Sequence, residues 1–185
     1  MDVNKLGKVC QDFLDELNPQ WEDNPDMRET PTRMANMYAH FFRNENVLQH
    51  FEKKFPTQNK QMVILKDIEC FGMCPHHLIP VVYNVHIGYI PQGWAIGLSK
   101  LARIVAGLCS YPKLQENFTF ELAEVIDKNL NPKGVIVIVE GLHSCIRSRG
   151  VELPSSCITL ECKGLFLENP GIKQEFINLI NLKST

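Results

Sequence analysis

Apolar residues recur at helical spacing over 3–17, where Val3, Leu6, Val9, Cys10, Phe13, Leu14 and Leu17 form one stripe. Asn18-Pro19 ends it, and residues 20–28 are polar and proline-bearing, a loop. Thr30 predicts an N-cap with Pro31 in the first turn, and the helix runs to about Arg43 with Met34, Met37, Tyr38, Phe41 and Phe42 on its apolar side. Residues 44–60 are polar and predict an exposed connection. From Met62 the rhythm shortens. Met62–Leu65 with Ile68 predicts a strand leading to the Cys74 turn, and Leu78 to Ile90 a long second strand, antiparallel to the first with that turn at the tip, Pro80 marking an edge or bulge. A helix is predicted from Ser99 through Leu108, and another from near Leu114 to Leu130. Val135–Val139 reads as a strand buried on both faces and runs on toward His143 and Cys145. Residues 157–166 predict a last strand, and Asn169-Pro170 caps a final helix.

The order of elements predicts an α+β fold, with a four-stranded antiparallel sheet, helices on one face of it and extra helices at the N-terminus. The expected division is an N-terminal helical region over 1–60 and a second domain over 61–185, the part that carries the chemistry. A four-stranded sheet leaves two open edges, so a homo-oligomer that covers them is expected. At 185 residues and 44% apolar composition, the chain can bury a sizeable core. Its formal charge of -2 gives no reason to expect nucleic acid. No apolar run is long enough to span a bilayer, so no membrane partner is expected. The first residues lack the apolar segment of a secretory signal. Seven cysteines, an odd count, argue against a disulfide framework and for a reducing, cytoplasmic compartment.

The chemistry concentrates in Cys74-Pro75-His76-His77 and in His143-Ser144-Cys145. Cys74 and His77, three apart, can reach one ion from one turn, and Cys145 supplies a third ligand from a second segment. Thiolate and imidazole suit zinc, and three protein ligands with an open position is its catalytic pattern. His76 and His143 are then left as proton carriers, which points to metal-assisted hydrolysis. The plainer reading stays open, in which buried cysteines are small hydrophobes and the histidines are surface residues. Ser99, Lys100 and Arg103 share the start of a helix, an anion seat suited to phosphate or simply a basic first turn. Gln115 and Glu116 open the next helix and could read a purine edge, although an acid there is favoured by the helix dipole in any case. Arg33, taken alone, reads as a solvated surface residue. A base-deaminase reading fails, because Cys-x-x-Cys and His-x-Glu are both missing.

Five ordered blocks carry a resemblance to a known family. They are Cys74-Pro-His-His-Leu-Ile-Pro80, His86-Ile-Gly-Tyr-Ile-Pro91, Gly97-Leu-Ser-Lys-Leu-Ala-Arg-Ile-Val105, Gln115-Glu116 and His143-Ser-Cys-Ile-Arg-Ser-Arg-Gly150. Together they resemble GTP cyclohydrolase I over about residues 27–181. The resemblance implies the tunnelling fold, a toroidal homodecamer with active sites between subunits, and hydrolysis of GTP to 7,8-dihydroneopterin triphosphate and formate. It also implies that Cys74, His77 and Cys145 hold zinc, and that His143 protonates the purine nitrogen as the imidazole ring opens. His76 would act as the acid on the ribose side. Glu116 with Gln115 would hold the guanine edge, and Ser99, Lys100, Arg103, Arg149 and Arg33 would bind the triphosphate.

Two positions depart from the family pattern. Pro75 stands where a Glu is usual, and Asn36 where a Lys is common. With so short an N-terminus, no long regulatory extension is expected. Two other readings follow from the residues: a relative that binds purine nucleotides without turnover, prompted by Pro75, and a structural zinc scaffold.

Overall fold

The computed structural model describes residues 1–43 and 45–182. The chain forms two compact units, Met1–Arg43 and the part from residue 44 onward. The first unit pairs α1 (Val3–Leu17) with α2 (Thr30–Phe41). Asp2 caps α1 by accepting from the backbone N–H groups of Asn4 and Lys5. The α2 cap is Glu29 rather than Thr30, and the Glu29 side chain makes no cap bond. It reaches Arg33 one turn on, at 2.9 Å. Two short 3-10 turns fill the connection, and Trp21 there is buried with its indole N–H on Asp15 at 2.7 Å.

The second unit is built on four antiparallel strands in the order β2-β3-β5-β6. These are β2 (Val63–Met73), β3 (Pro80–Ile90), β5 (Gly134–His143) and β6 (Cys157–Gly164). A two-residue ladder pairs β1 (Phe55–Pro56) with β4 (Trp94–Ala95). Strand β2 runs to Met73 and pairs with β3, so the hairpin expected around the Cys74 turn is present. Its register slips between Leu65 and Ile68, where Asp67 takes φ 58°, a bulge within the strand.

Side chains alternate across the sheet, and each face has its own cover. Val81, Tyr83, Val85, Ile87, Val135, Val137 and Val139 pack with α3 (Leu98–Cys109) and α4 (Gln115–Leu130). The opposite set, with Ile136 and Ile138, packs with Phe166 of α6 (Leu165–Glu168) and Phe176 of α7 (Pro170–Ile180). The expectation of helices on one face holds for α3 and α4 and fails for α7. Alternation explains this, because a strand apolar on both faces needs a cover on both. The segment expected as an exposed connection contains a 3-10 turn, Val47–Phe51, whose two end residues are buried in the main core.

Phe176 is fully buried, and its ring lies where a Cβ on Gly88 would fall, 2.7 Å away. Replacing Phe176 by Ala should lower unfolding stability by about 3–4 kcal/mol. Urea unfolding followed by far-ultraviolet circular dichroism would measure it, and a midpoint equal to wild type would show that α7 does not anchor the sheet.

Candidate active site

The β2–β3 connection is a tight loop at one end of the sheet. Cys74 closes it from both sides: its N–H donates to Ile79 O at 3.0 Å, and its carbonyl accepts from Leu78 N–H at 2.9 Å. Leu78 takes φ 51°, the left-handed conformation that a non-glycine residue adopts at a cost. The loop turns Cys74 inward, 4% exposed, and leaves Pro75, His76 and His77 at the surface. Cys74 Sγ and His77 Nδ1 stand 3.5 Å apart.

The second segment arrives at the same place through strand pairing. In the β3–β5 ladder Val81 lies opposite His143, so β5 ends beside the β2–β3 loop. The chain then turns into α5 (Ser144–Arg147), one short turn that carries Cys145. The ligand atoms of Cys74, His77 and Cys145 all lie within 4.8 Å of one another. Ligands about 2.0–2.3 Å from a tetrahedral zinc sit roughly 3.5 Å from each other. The Cys74–His77 separation matches that edge, and the donor set of two sulfurs and one nitrogen suits the ion. The residues therefore fit zinc. Burial, and then the hydrogen bond to Cys74, push the Cys145 thiol above its ordinary range, while the Arg149 charge pulls it down.

His143 stands at the end of β5, half-buried, with its ring edge against Tyr83. Burial pushes its pKa down, and the nearby Glu116 carboxylate opposes that shift. Its Nε2 lies 2.8 Å from the side-chain oxygen of Gln115. Gln115 differs from the expectation of a residue that reads a purine edge. It is 2% exposed, and its amide nitrogen lies on Val139 O, Cys157 O and Thr159 Oγ1 at 2.9, 3.0 and 3.1 Å. Glu116, the next residue, is exposed.

The remaining candidates are surface residues. Ser99 and Arg103 are exposed on the first turns of α3, with Lys100 half-buried between them. Among the described residues their side chains make no hydrogen bond or ion pair. Arg149 is exposed in the loop after α5. Arg33 belongs to the first unit, where Glu29 holds it. His76 is exposed, its ring 6.2 Å from that of His77. No helix among the described residues is long and apolar enough to cross a membrane.

The profile of the GTP cyclohydrolase I family matches residues 8–181. The chain belongs to the GTP cyclohydrolase I family. That family is one of enzymes. The GTP cyclohydrolase 1 of Desulforamulus reducens is 40% identical over 183 residues, covering 97% of each chain. That of Pelotomaculum thermopropionicum is 39% identical with the same coverage. That of Carboxydothermus hydrogenoformans is 39% identical over 100% of this chain and 97% of its own. A solved structure, the archaeosine synthase QueF-Like in the apo form, aligns with 56% of this chain and 93% of its own at TM-score 0.48 and 20% identity, too slight a likeness to bear on the fold.

Metal capture at this cluster requires thiolates, so binding zinc must release protons. Zinc affinity of the metal-free protein should therefore rise with pH between about 6 and 8, where thiols bind protons more weakly. Competition with a chromophoric chelator would measure it, and an affinity flat across that range would remove the two cysteines from the ligand set.

Proposed function

We propose that this member of the GTP cyclohydrolase I family hydrolyses GTP to 7,8-dihydroneopterin triphosphate and formate at a zinc site held by Cys74, His77 and Cys145. One observation carries the reading: two segments some seventy residues apart in sequence bring two sulfurs and a nitrogen within 4.8 Å. Zinc, when held there, supplies the Lewis acidity that makes water attack on a purine ring carbon feasible near neutral pH.

The protein groups divide the rest of the work. His143 holds a proton at its ring and passes it to the purine nitrogen as the carbon–nitrogen bond of the imidazole breaks. His76 serves as the acid on the ribose side. Glu116, exposed beside His143, accepts hydrogen bonds from the guanine edge. Ser99, Lys100, Arg103, Arg149 and Arg33 are assigned to the triphosphate. The cations of α3 lie near its N-terminus, where the helix dipole favours an anion and disfavours unpaired positive charge. A bound triphosphate resolves that conflict. We further assign the catalytic role to residues 61–185, in a tunnelling-fold arrangement. We assign a homo-oligomer, a decamer in the family pattern, with sites between subunits and a cytoplasmic location.

Pro75 favours a second reading, binding without turnover, because it removes the carboxylate usual at that position. The two readings separate in one assay. Zinc-loaded protein given GTP should release formate and yield a pterin that fluoresces after oxidation. Bound GTP with no formate would favour the second reading.

Substitutions refine the assignment. Cys145→Ala should lose zinc and turnover together. His143→Ala should keep its zinc and lose formate release by about a hundredfold or more. Arg149→Ala should raise KM for GTP several-fold at unchanged metal content, measured by metal analysis beside steady-state kinetics. A fully active His143→Ala would rule out the proton transfer assigned to that residue.

A further inference from the structure

Gln115 and Thr119 are two of the three polar residues buried among the described ones, and they share one hydrogen-bond network. Its proton order can be worked out. Val139 O and Cys157 O are backbone carbonyls, which only accept, and both face the same end of the Gln115 side chain. That end is therefore the NH2 group, and the amide cannot be flipped. Thr119 Oγ1 donates its single proton to the backbone carbonyl of Gln115 at 2.9 Å. In its 2.6 Å contact with Thr159 it must therefore accept. Thr159 in turn accepts from the Gln115 amide at 3.1 Å. The amide has two protons for these three acceptors, so one is shared, but all three need the NH2 group at that end, and the amide oxygen is fixed toward His143, where it can only accept. The proton in that 2.8 Å contact belongs to His143 Nε2.

The backbone is shaped around this contact. Gly141 pairs with Tyr83 across the β3–β5 ladder, and a Cβ there would fall 2.2 Å from the Gln115 side-chain oxygen and 3.0 Å from the Tyr83 ring. Tyr83, stacked on Phe118 at 5.4 Å between centroids, also packs its ring against His143. Any larger residue at 141 would displace the amide.

We propose that Gln115 is a positioning residue for His143: its side-chain oxygen holds the Nε2–H tautomer and the ring orientation, leaving Nδ1 as the nitrogen that takes up the proton released by the attacking water and passes it to the purine nitrogen. The proposal rests on the reaction assigned above for its kinetic consequence, and on hydrogen-bond geometry alone for the tautomer. It removes the Gln115 side chain from the guanine-binding set and leaves Glu116 there.

The test uses zinc-loaded, full-length protein labelled with 15N at histidine. Magic-angle-spinning spectra would be taken at a pH about two units above the ordinary imidazole range, with the His143 signal assigned by its loss in His143→Ala. Wild type should show Nε2 protonated and Nδ1 bare. Gln115→Leu should show a mixture of tautomers, with kcat for GTP lowered about tenfold to a hundredfold and KM changed less than about threefold. Gly141→Ala keeps the glutamine and moves it, so it should give the same spectrum and the same kinetic split should Gln115→Leu fail to fold. Nδ1–H in wild type would overturn the proposal without any variant. So would an unchanged tautomer in either variant, or a raised KM at unchanged kcat, which would make Gln115 a substrate contact. Failure of wild type to release formate would instead defeat the assigned reaction, and the tautomer would still be read.

Discussion

The antiparallel pairing of β3 with β5 is the constraint on which the site depends. Ten residue pairs, from Val81↔His143 to Ile90↔Gly134, fix the register. That register sets the end of β5 beside the loop that follows β2. Side chains alternate with period two, so a slip of one residue would turn His143 to the opposite face and bury Ile136 and Ile138 against α3 and α4. The continuous Val/Ile run of β5, covered on both faces, makes such a slip costly, because both sets of side chains would meet the wrong partners. The core thus holds in contact the two segments that carry Cys74, His77 and Cys145.

The sequence makes part of this legible. Helix α1 and the capped α7 follow from spacing and cap residues, and both lie where the pattern predicts. Cys74, His77 and Cys145 stand out because few side chains can ligate zinc, and their types survive without knowledge of the fold. Other features depend on partners far along the chain. The bulge at Asp67 interrupts the alternation of β2, so the register of the strand is hidden even though its run toward the Cys74 turn is not. Val47 and Phe51 give a single turn among polar residues, too short to show a period, yet both are buried. The setting of Gln115 was hidden for the same reason. A glutamine in a first helical turn is unremarkable until Gly141, Thr159 and the end of β5 are seen around it.

Burial also sorts the site by task. Cys74 and Gln115 lie inside, with His143 and Cys145 half-buried between core and surface. Groups that must hold a fixed geometry gain from this, because packed neighbours remove their alternative rotamers. Glu116, Arg103, Arg149 and His76 are exposed. Flexible, hydrated cations such as Arg103 and Arg149 can be organised by an anionic ligand as it binds. Adjacent residues 115 and 116 show the division most sharply. One turn of α4 sends the amide into the sheet and the carboxylate to solvent, so two neighbours meet opposite surroundings.

Pro75 bears on the rigidity of the ligand loop. Proline fixes its own φ near −65° and narrows the conformations open to Cys74 before it. The loop then closes with Leu78 in a left-handed conformation that costs about 1 kcal/mol or more. A proline in a compatible turn offsets part of such strain by reducing the freedom of the unfolded chain. Pro75 thus makes the turn stiffer before any ligand arrives. With Cys74 Sγ and His77 Nδ1 already 3.5 Å apart, little ordering remains to be done when an ion is bound. The electrostatic loss falls elsewhere: Glu116 is the carboxylate whose charge reaches His143, so any acidic influence on that imidazole comes from α4 and not from the loop.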